Sequence, residues 1–155
     1  MKGSNIHQIK LPVCKVDINN YKRLKYAITS INKAVPLMEK DDMPSIDTFF
    51  FTYKLSLNGI KGVNYETNNK YKEVEIELRQ LFENYISLHA SYISTFYDEL
   101  IKLIHTQESV PYTNLTDELK SIFPRNIVDV LIKYYLDNKA IIRESIDGIL
   151  MVRLP

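Results

Sequence analysis

Glycine is scarce in this chain, four residues among 155. Phosphate-cradling loops and Gly-hinged lids need the backbone freedom that a missing Cβ supplies. Neither GxxxxGK nor GxGxxG occurs, so nucleotide-dependent enzyme architectures are disfavoured. There is one cysteine, Cys14, which cannot form an internal disulfide and suits a reducing compartment such as cytosol or nucleus. The three histidines, His7, His89 and His105, are scattered and lie in no HExxH or CxxC pattern, so neither a metal nor any other cofactor is expected. No apolar run approaches the roughly 20 residues of a membrane span, and the first residues lack the apolar region of a secretion signal. The expected protein is neither secreted nor membrane-bound.

A charge excess of one sign is also missing. Lys and Arg number 20 against 19 Asp and Glu, a formal net charge of +1, which argues against nonspecific coating of nucleic acid by counterion release. The distribution is uneven. Residues 1–35 carry seven basic side chains (Lys2, Lys10, Lys15, Lys22, Arg23, Lys25, Lys33) against Asp17 alone. From Glu73 to Pro155 thirteen acidic side chains outnumber eight basic ones.

What is present is a core-forming composition, 45% hydrophobic and 25% charged, with enough length for one large domain or two small ones. Tyr21, Leu24, Ile28, Ile31 and Val35 recur at helical spacing and predict a helix from about Asp17 to Val35, ended by Pro36. A second helix is expected from Pro44 to Leu57, with Ser45 as cap; the run Phe49-Phe50-Phe51 also admits a buried strand. Asn58-Gly59 and Gly62 predict a turn region and a soft boundary. This divides the chain into a basic helical module, 1–70, and a second module, 71–155. Tyr71 to His105 contains no Gly or Pro and keeps helical spacing, as one helix or two, with a bend expected among Ser87, Ser91 and Ser94. Glu73, Glu75 and Glu77 read as complements to that helix's dipole.

The last fifty residues predict a definite order. Val110-Pro111-Tyr112 is a short extended stretch. Thr113 or Asn114 caps a helix carrying Leu115, Leu119 and Ile122. Pro124 opens another in which Ile127, Val130, Leu131 and Tyr134 face inward, ending near Asn138. Two β-prone runs, 140–144 and 149–153, flank Asp147-Gly148, a hairpin turn signal. Helix, strand, helix, turn, helix and hairpin is the order of a winged helix-turn-helix. The stretch from Phe96 to Leu154 resembles winged-helix domains through Leu103-Ile104, Leu115, Leu119, Ile127 to Leu131 and the wing entry Lys139-Ala140-Ile141-Ile142. Within that superfamily it is most similar to the carboxy-terminal domain of the replication protein A middle subunit and to the tandem winged helices of the telomere-capping CST complex. The fold class expected is mainly α with small β-hairpin wings, one winged helix or a tandem in which residues 1–70 form a divergent second copy.

In DNA-reading winged helices the third helix enters the major groove. Here its outward candidates are Arg125, Asn126, Asp129, Lys133 and Asp137, in which acids offset bases, so protein contact or plain solvation competes with base reading. Lys139, Arg143 and Arg153 of the wing are candidate phosphate contacts interleaved with Glu144 and Asp147. Lys22, Arg23 and Lys25 beside Tyr21 and Tyr26 form a candidate nucleic-acid patch, for which a solvated helix face is the plain reading. No catalytic constellation is visible, and no small-molecule substrate is expected. The resemblance implies a nuclear protein, or a cytoplasmic one in a prokaryote. It also implies a module that recruits protein partners of a DNA replication, telomere-capping or repair complex through a peptide groove, with at most weak binding of single-stranded or duplex DNA. The alternative is a sequence-specific transcription regulator that dimerises through the long helix and reads DNA with Arg125, Asn126 and Lys133.

Overall fold

The computed structural model describes residues 8–10, 18–61 and 69–155. Cys14, His7, Lys2, Lys15 and Gly62 lie outside them. The chain is mainly helical, with α1 (Ile18–Ala34), α2 (Met43–Lys61), α3 (Asn69–Leu88), α4 (Ala90–His105), α5 (Tyr112–Lys120) and α6 (Arg125–Asp137). A three-stranded antiparallel sheet consists of β1 (Val110–Pro111), β2 (Ile142–Ile146) and β3 (Ile149–Arg153). Two compact units divide the chain, Met1–His89 and Ala90–Pro155. The division falls after α3, whereas composition placed a soft boundary near residue 70.

The reason is aromatic. Phe49 and Tyr53, one turn apart on α2, stack on Tyr85 and Phe82 of α3 with ring centroids 3.8 and 4.3 Å apart. Phe50 meets Phe82 and Tyr85 edge-on at 5.8 and 5.6 Å. Phe49, Phe50, Phe82 and Tyr85 are fully buried. Such pairs add to the area term of burial and commit α3 to the first unit. The phenylalanine run is therefore helical, not a strand, and the 3.6 period leaves Phe51 46% exposed.

On its other side α2 carries α1. Leu24, Ala27, Ile28, Ile31 and Ala34 form the buried stripe of α1, and the buried Ser56 hydroxyl donates to the Ala27 carbonyl at 2.9 Å. Asn58-Gly59 is no turn: α2 runs through it to Lys61. Gly59 is used for closeness, since a Cβ there would sit 3.2 Å from the Ala27 Cβ. Ile9 is clipped to α1 by reciprocal hydrogen bonds with the Asn32 side chain, 2.8 and 3.0 Å. Among the described residues the first unit holds helices and no strand. Its α2 cap is Asp42 rather than Ser45: Asp42 accepts the Ser45 amide at 3.1 Å and the Ser45 hydroxyl at 2.8 Å. These hydrogen bonds hold the Asp42 carboxyl below its ordinary value.

The run from Tyr71 to His105 is interrupted at His89. The buried imidazole donates its Nε2–H to the Met38 carbonyl at 2.7 Å and lies on the Tyr85 ring at 4.3 Å. A bend was expected among the serines; the break falls within that stretch, at a histidine engaged 51 residues away in sequence. The acidic start of α3 serves an i,i+4 pair, Glu75 with Arg79 at 3.3 Å, and no acid lies in its first turn.

In the second unit, Ile93, Phe96, Leu100 and Ile104 of α4 are buried, as are Leu115 and Leu119 of α5. From α6, Ile127, Val128, Val130, Leu131, Ile132 and Tyr135 join the core. One inward assignment changes, Tyr135 rather than Tyr134 being buried. Ile122, expected on the helix with Leu115 and Leu119, lies beyond the end of α5 at Lys120 and is 53% exposed. Neither Thr113 nor Asn114 caps α5, which starts directly from Pro111 at Tyr112 without a side-chain cap. Pro124 stands just before α6, at its cap, one position earlier than the first helical residue. In the sheet β3 is central, pairing with β1 (Val110 opposite Val152) and with β2 (Ile146 opposite Ile149). The hairpin turn is Asp147-Gly148 with φ of 53° and 79°, the doubly left-handed form that a right-twisted two-residue hairpin requires.

Candidate functional site

Burial leaves Arg125, Asn126, Asp129, Lys133 and Asp137 on the outer side of α6, so the helix does present the expected set together. Its charges are largely spent internally. Lys133 Nζ lies 2.9 Å from the Asp137 carboxylate one turn on. Asp129 is 3.5 Å from Lys120 of α5, a link across the α5–α6 corner that spacing along α6 could not reveal. Arg125 remains exposed at the start of the helix. Base reading normally adds cations for phosphate to donors for base edges, and this face has two acids beside two bases.

One cation of the wing behaves similarly. Arg153 Nε is bonded to Glu144 at 3.1 Å across the strands and its guanidinium also donates to the Leu154 carbonyl at 3.0 Å. Lys139 and Arg143 are exposed. Lys139 follows α6 with φ 63°. Its amide bonds to the Leu136 carbonyl at 3.2 Å and the Ala140 amide to the Tyr135 carbonyl at 2.9 Å. These two bonds form a Schellman cap, whose left-handed position glycine ordinarily fills. Lysine there carries a steric penalty, so Lys139→Gly should raise stability by about 1 kcal/mol in chemical denaturation. If Lys139 also contacts a partner, the same variant binds more weakly while melting higher.

An apolar wing tip escaped the sequence analysis. Ile146, Ile149 and Leu150 are 44%, 55% and 39% exposed. The two-residue turn sets Ile146 opposite Ile149, and the period of two then puts Ile142, Glu144, Met151 and Arg153 on the same face. The Asp-Gly turn signal was sufficient to deduce this register. At the far end of α4 an open depression of about 420 Å³ is lined by Ile104, His105, Thr106, Gln107, Glu108 and Leu154.

Tyr135 sits against Tyr97, Tyr134 and Phe96, centroids 4.9, 5.3 and 6.4 Å away. Burial first, then the charges that the neighbouring Tyr134 and Tyr97 would carry when ionised, push its pKa far above the ordinary phenol value, so the phenol is a weaker acid here. A raised folded pKa means the contribution to stability is complete below about pH 10 and is lost as pH rises beyond it. Thermal melts should therefore decline on the alkaline side, and Tyr135→Phe should flatten that decline relative to the parent chain.

In the first unit Lys22, Arg23 and Lys25 are all exposed on α1, Tyr26 is 58% exposed, and Tyr21 is half-buried. Among the described residues no three His, Cys, Asp or Glu side chains group to hold a metal, and no helix is long and apolar enough to cross a membrane. Comparison of the chain with family models, with characterised proteins and with solved structures finds no match.

Proposed function

We propose that residues 90–155 are a winged helix-turn-helix used for protein contact, and that the chain is a non-catalytic interaction domain of a DNA replication, telomere-capping or repair complex. The reading is supported by the element order helix, strand, helix, helix, hairpin with β3 central in the sheet. The observation that carries the choice of protein over duplex DNA is the wing tip, which exposes Ile146, Ile149 and Leu150; of the wing cations Arg153 is paired with Glu144 while Lys139 and Arg143 are exposed. Exposed apolar side chains gain by being covered by a protein surface, and a phosphate backbone offers them nothing. The α6 face, with Lys133 held by Asp137 and Asp129 by Lys120, supports the same choice. Recruitment belongs to the nucleus, or to the cytoplasm of a prokaryotic source.

The test is a binding assay of the purified chain with subunits of such complexes, beside a fluorescence-anisotropy titration with labelled duplex DNA. The expected result is retention of a subunit that Ile149→Asp abolishes, with weak duplex binding that Arg125→Ala/Lys133→Ala leaves unchanged. Tight duplex binding lost in the double variant would instead establish the regulator reading. That reading would also need a dimerising element other than one continuous helix, since the run is interrupted between α3 and α4.

A further inference from the structure

The 17 residues of α1 contain four basic side chains and no acidic one. At 100° per residue, Lys25, Thr29, Lys22, Lys33 and Tyr26 fall within an arc of roughly 100°, opposite the buried stripe of Leu24, Ala27, Ile28, Ile31 and Ala34. Arg23 lies at the edge of this arc, toward α2, where a Cβ on Gly59 would be 3.5 Å from the Arg23 carbonyl. The neighbouring part of α2 carries no countercharge: from Thr48 to Lys61 it has no Asp or Glu. Among the described residues Lys22, Arg23, Lys25 and Lys33 have no ion-pair partner. In the second unit Lys120, Lys133 and Arg153 are paired, and the cations without an ion pair among the described residues, Lys102, Arg125, Lys139 and Arg143, are spread over several elements instead of one helix face.

Cations alone would suit any polyanion. Tyr26 narrows the choice. It is 58% exposed, one turn from Lys22 and beside Lys25, a position that leaves more than half of the residue in solvent. A ring among cations offers a base a stacking platform while the lysines meet phosphates. An acidic peptide would use the lysines and leave the ring idle. A duplex hides the faces of its bases in the stack and could not use the ring either. We infer that the outer face of α1, centred on Tyr26 and bordered by Lys22, Lys25 and Lys33, binds single-stranded nucleic acid through base stacking and phosphate pairing. Lys22 and Lys33 are eleven residues apart, about 16 Å along the axis, a footprint of roughly four or five nucleotides at the ~3.4 Å rise of a stacked strand. The assignment does not rest on the winged-helix reading of residues 90–155.

The test titrates the full chain with labelled oligothymidylate across a series of salt concentrations. The parent should bind, with affinity falling as salt rises. Each of Lys22→Ala, Lys25→Ala and Lys33→Ala should reduce the log–log salt slope by about 0.7. Tyr26→Ala should weaken binding about tenfold with the salt slope retained, and Tyr26→Phe should restore it, because stacking needs only the ring. All of these side chains are exposed, so thermal melts should stay unchanged and separate a lost contact from a lost fold. Arg125→Ala/Lys133→Ala, in the other unit, serves as the unaffected control. No binding of oligothymidylate at low salt would overturn the proposal. So would full affinity in Tyr26→Ala, or equal affinity for labelled oligoglutamate or duplex DNA.

Discussion

Replacing Phe49 by Ala should destabilise the first unit by about 3–5 kcal/mol, the range for a large aromatic removed from a core that cannot collapse around the gap. Phe49 is fully buried and touches three rings: it stacks on Tyr85 at 3.8 Å and lies 6.2 and 6.4 Å from Phe50 and Tyr53. The lost ring is also one of the ties between α2 and α3, so the cavity opens at a joint between helices. Hydrogen exchange should show loss of protection across α1 to α3. A change confined to the residues around position 49, with protection of α3 intact, would mean that the aromatic stack does not hold the unit together. Because the α1 face depends on this unit, Phe49→Ala should also lose single-strand binding on warming, at the temperature where α1 unfolds.

Phe96→Ala should act equally strongly in the second unit, again by about 3–5 kcal/mol. Phe96 is fully buried on α4, with Phe123 4.9 Å away in the corner before α6 and Tyr135 6.4 Å away on α6 itself. Those contacts fix the corner that presents Arg125, Asn126 and the rest of the outer α6 face. Denaturant titration followed by hydrogen exchange should locate the loss in α4, α5 and α6. Retention of a partner subunit through the wing should fall with it, while Tyr26-dependent binding at α1 should persist at temperatures where the first unit stays folded. The opposite pattern, loss of the α1 activity with the wing intact, would contradict the division after His89.

Much of this architecture was legible in local patterns. Leu24, Ile28 and Ile31 mark the buried side of α1, and Phe96, Leu100 and Ile104 that of α4, because the helical period converts spacing into a face without reference to anything distant. Asp147-Gly148 specified both the turn and, through the period of two, the register of β2 with β3. The members of the outer α6 face followed from the same arithmetic. So did the basic start of the chain, although its lack of countercharge did not, because pairing depends on which helix lies alongside.

Where expectation and structure part, the deciding partner is remote or absent from the local window. Gly59 has the residue type of a turn but lies inside α2, because α1 needs a position without a side chain opposite Ala27. Tyr135 displaces Tyr134 from the core because the neighbouring element offers Phe96 and Tyr97 on that side. The α2 cap is a local exception: Asp42, three residues before Ser45, takes the cap expected of Ser45, its carboxylate accepting the amide of a serine already inside the helix.

Residue order by itself thus determined the helices, the hairpin and the charge of each stretch, since those follow from neighbours within about four positions. The tertiary structure alone decided where the long helical run breaks and which cations find a partner on another element, beyond the i,i+4 pairs Glu75–Arg79 and Lys133–Asp137 that spacing along one helix supplies. His89 must find the Met38 carbonyl, and Asp129 must find Lys120, before either outcome exists. Such pairings are properties of packed helices, and no period along a single helix encodes them.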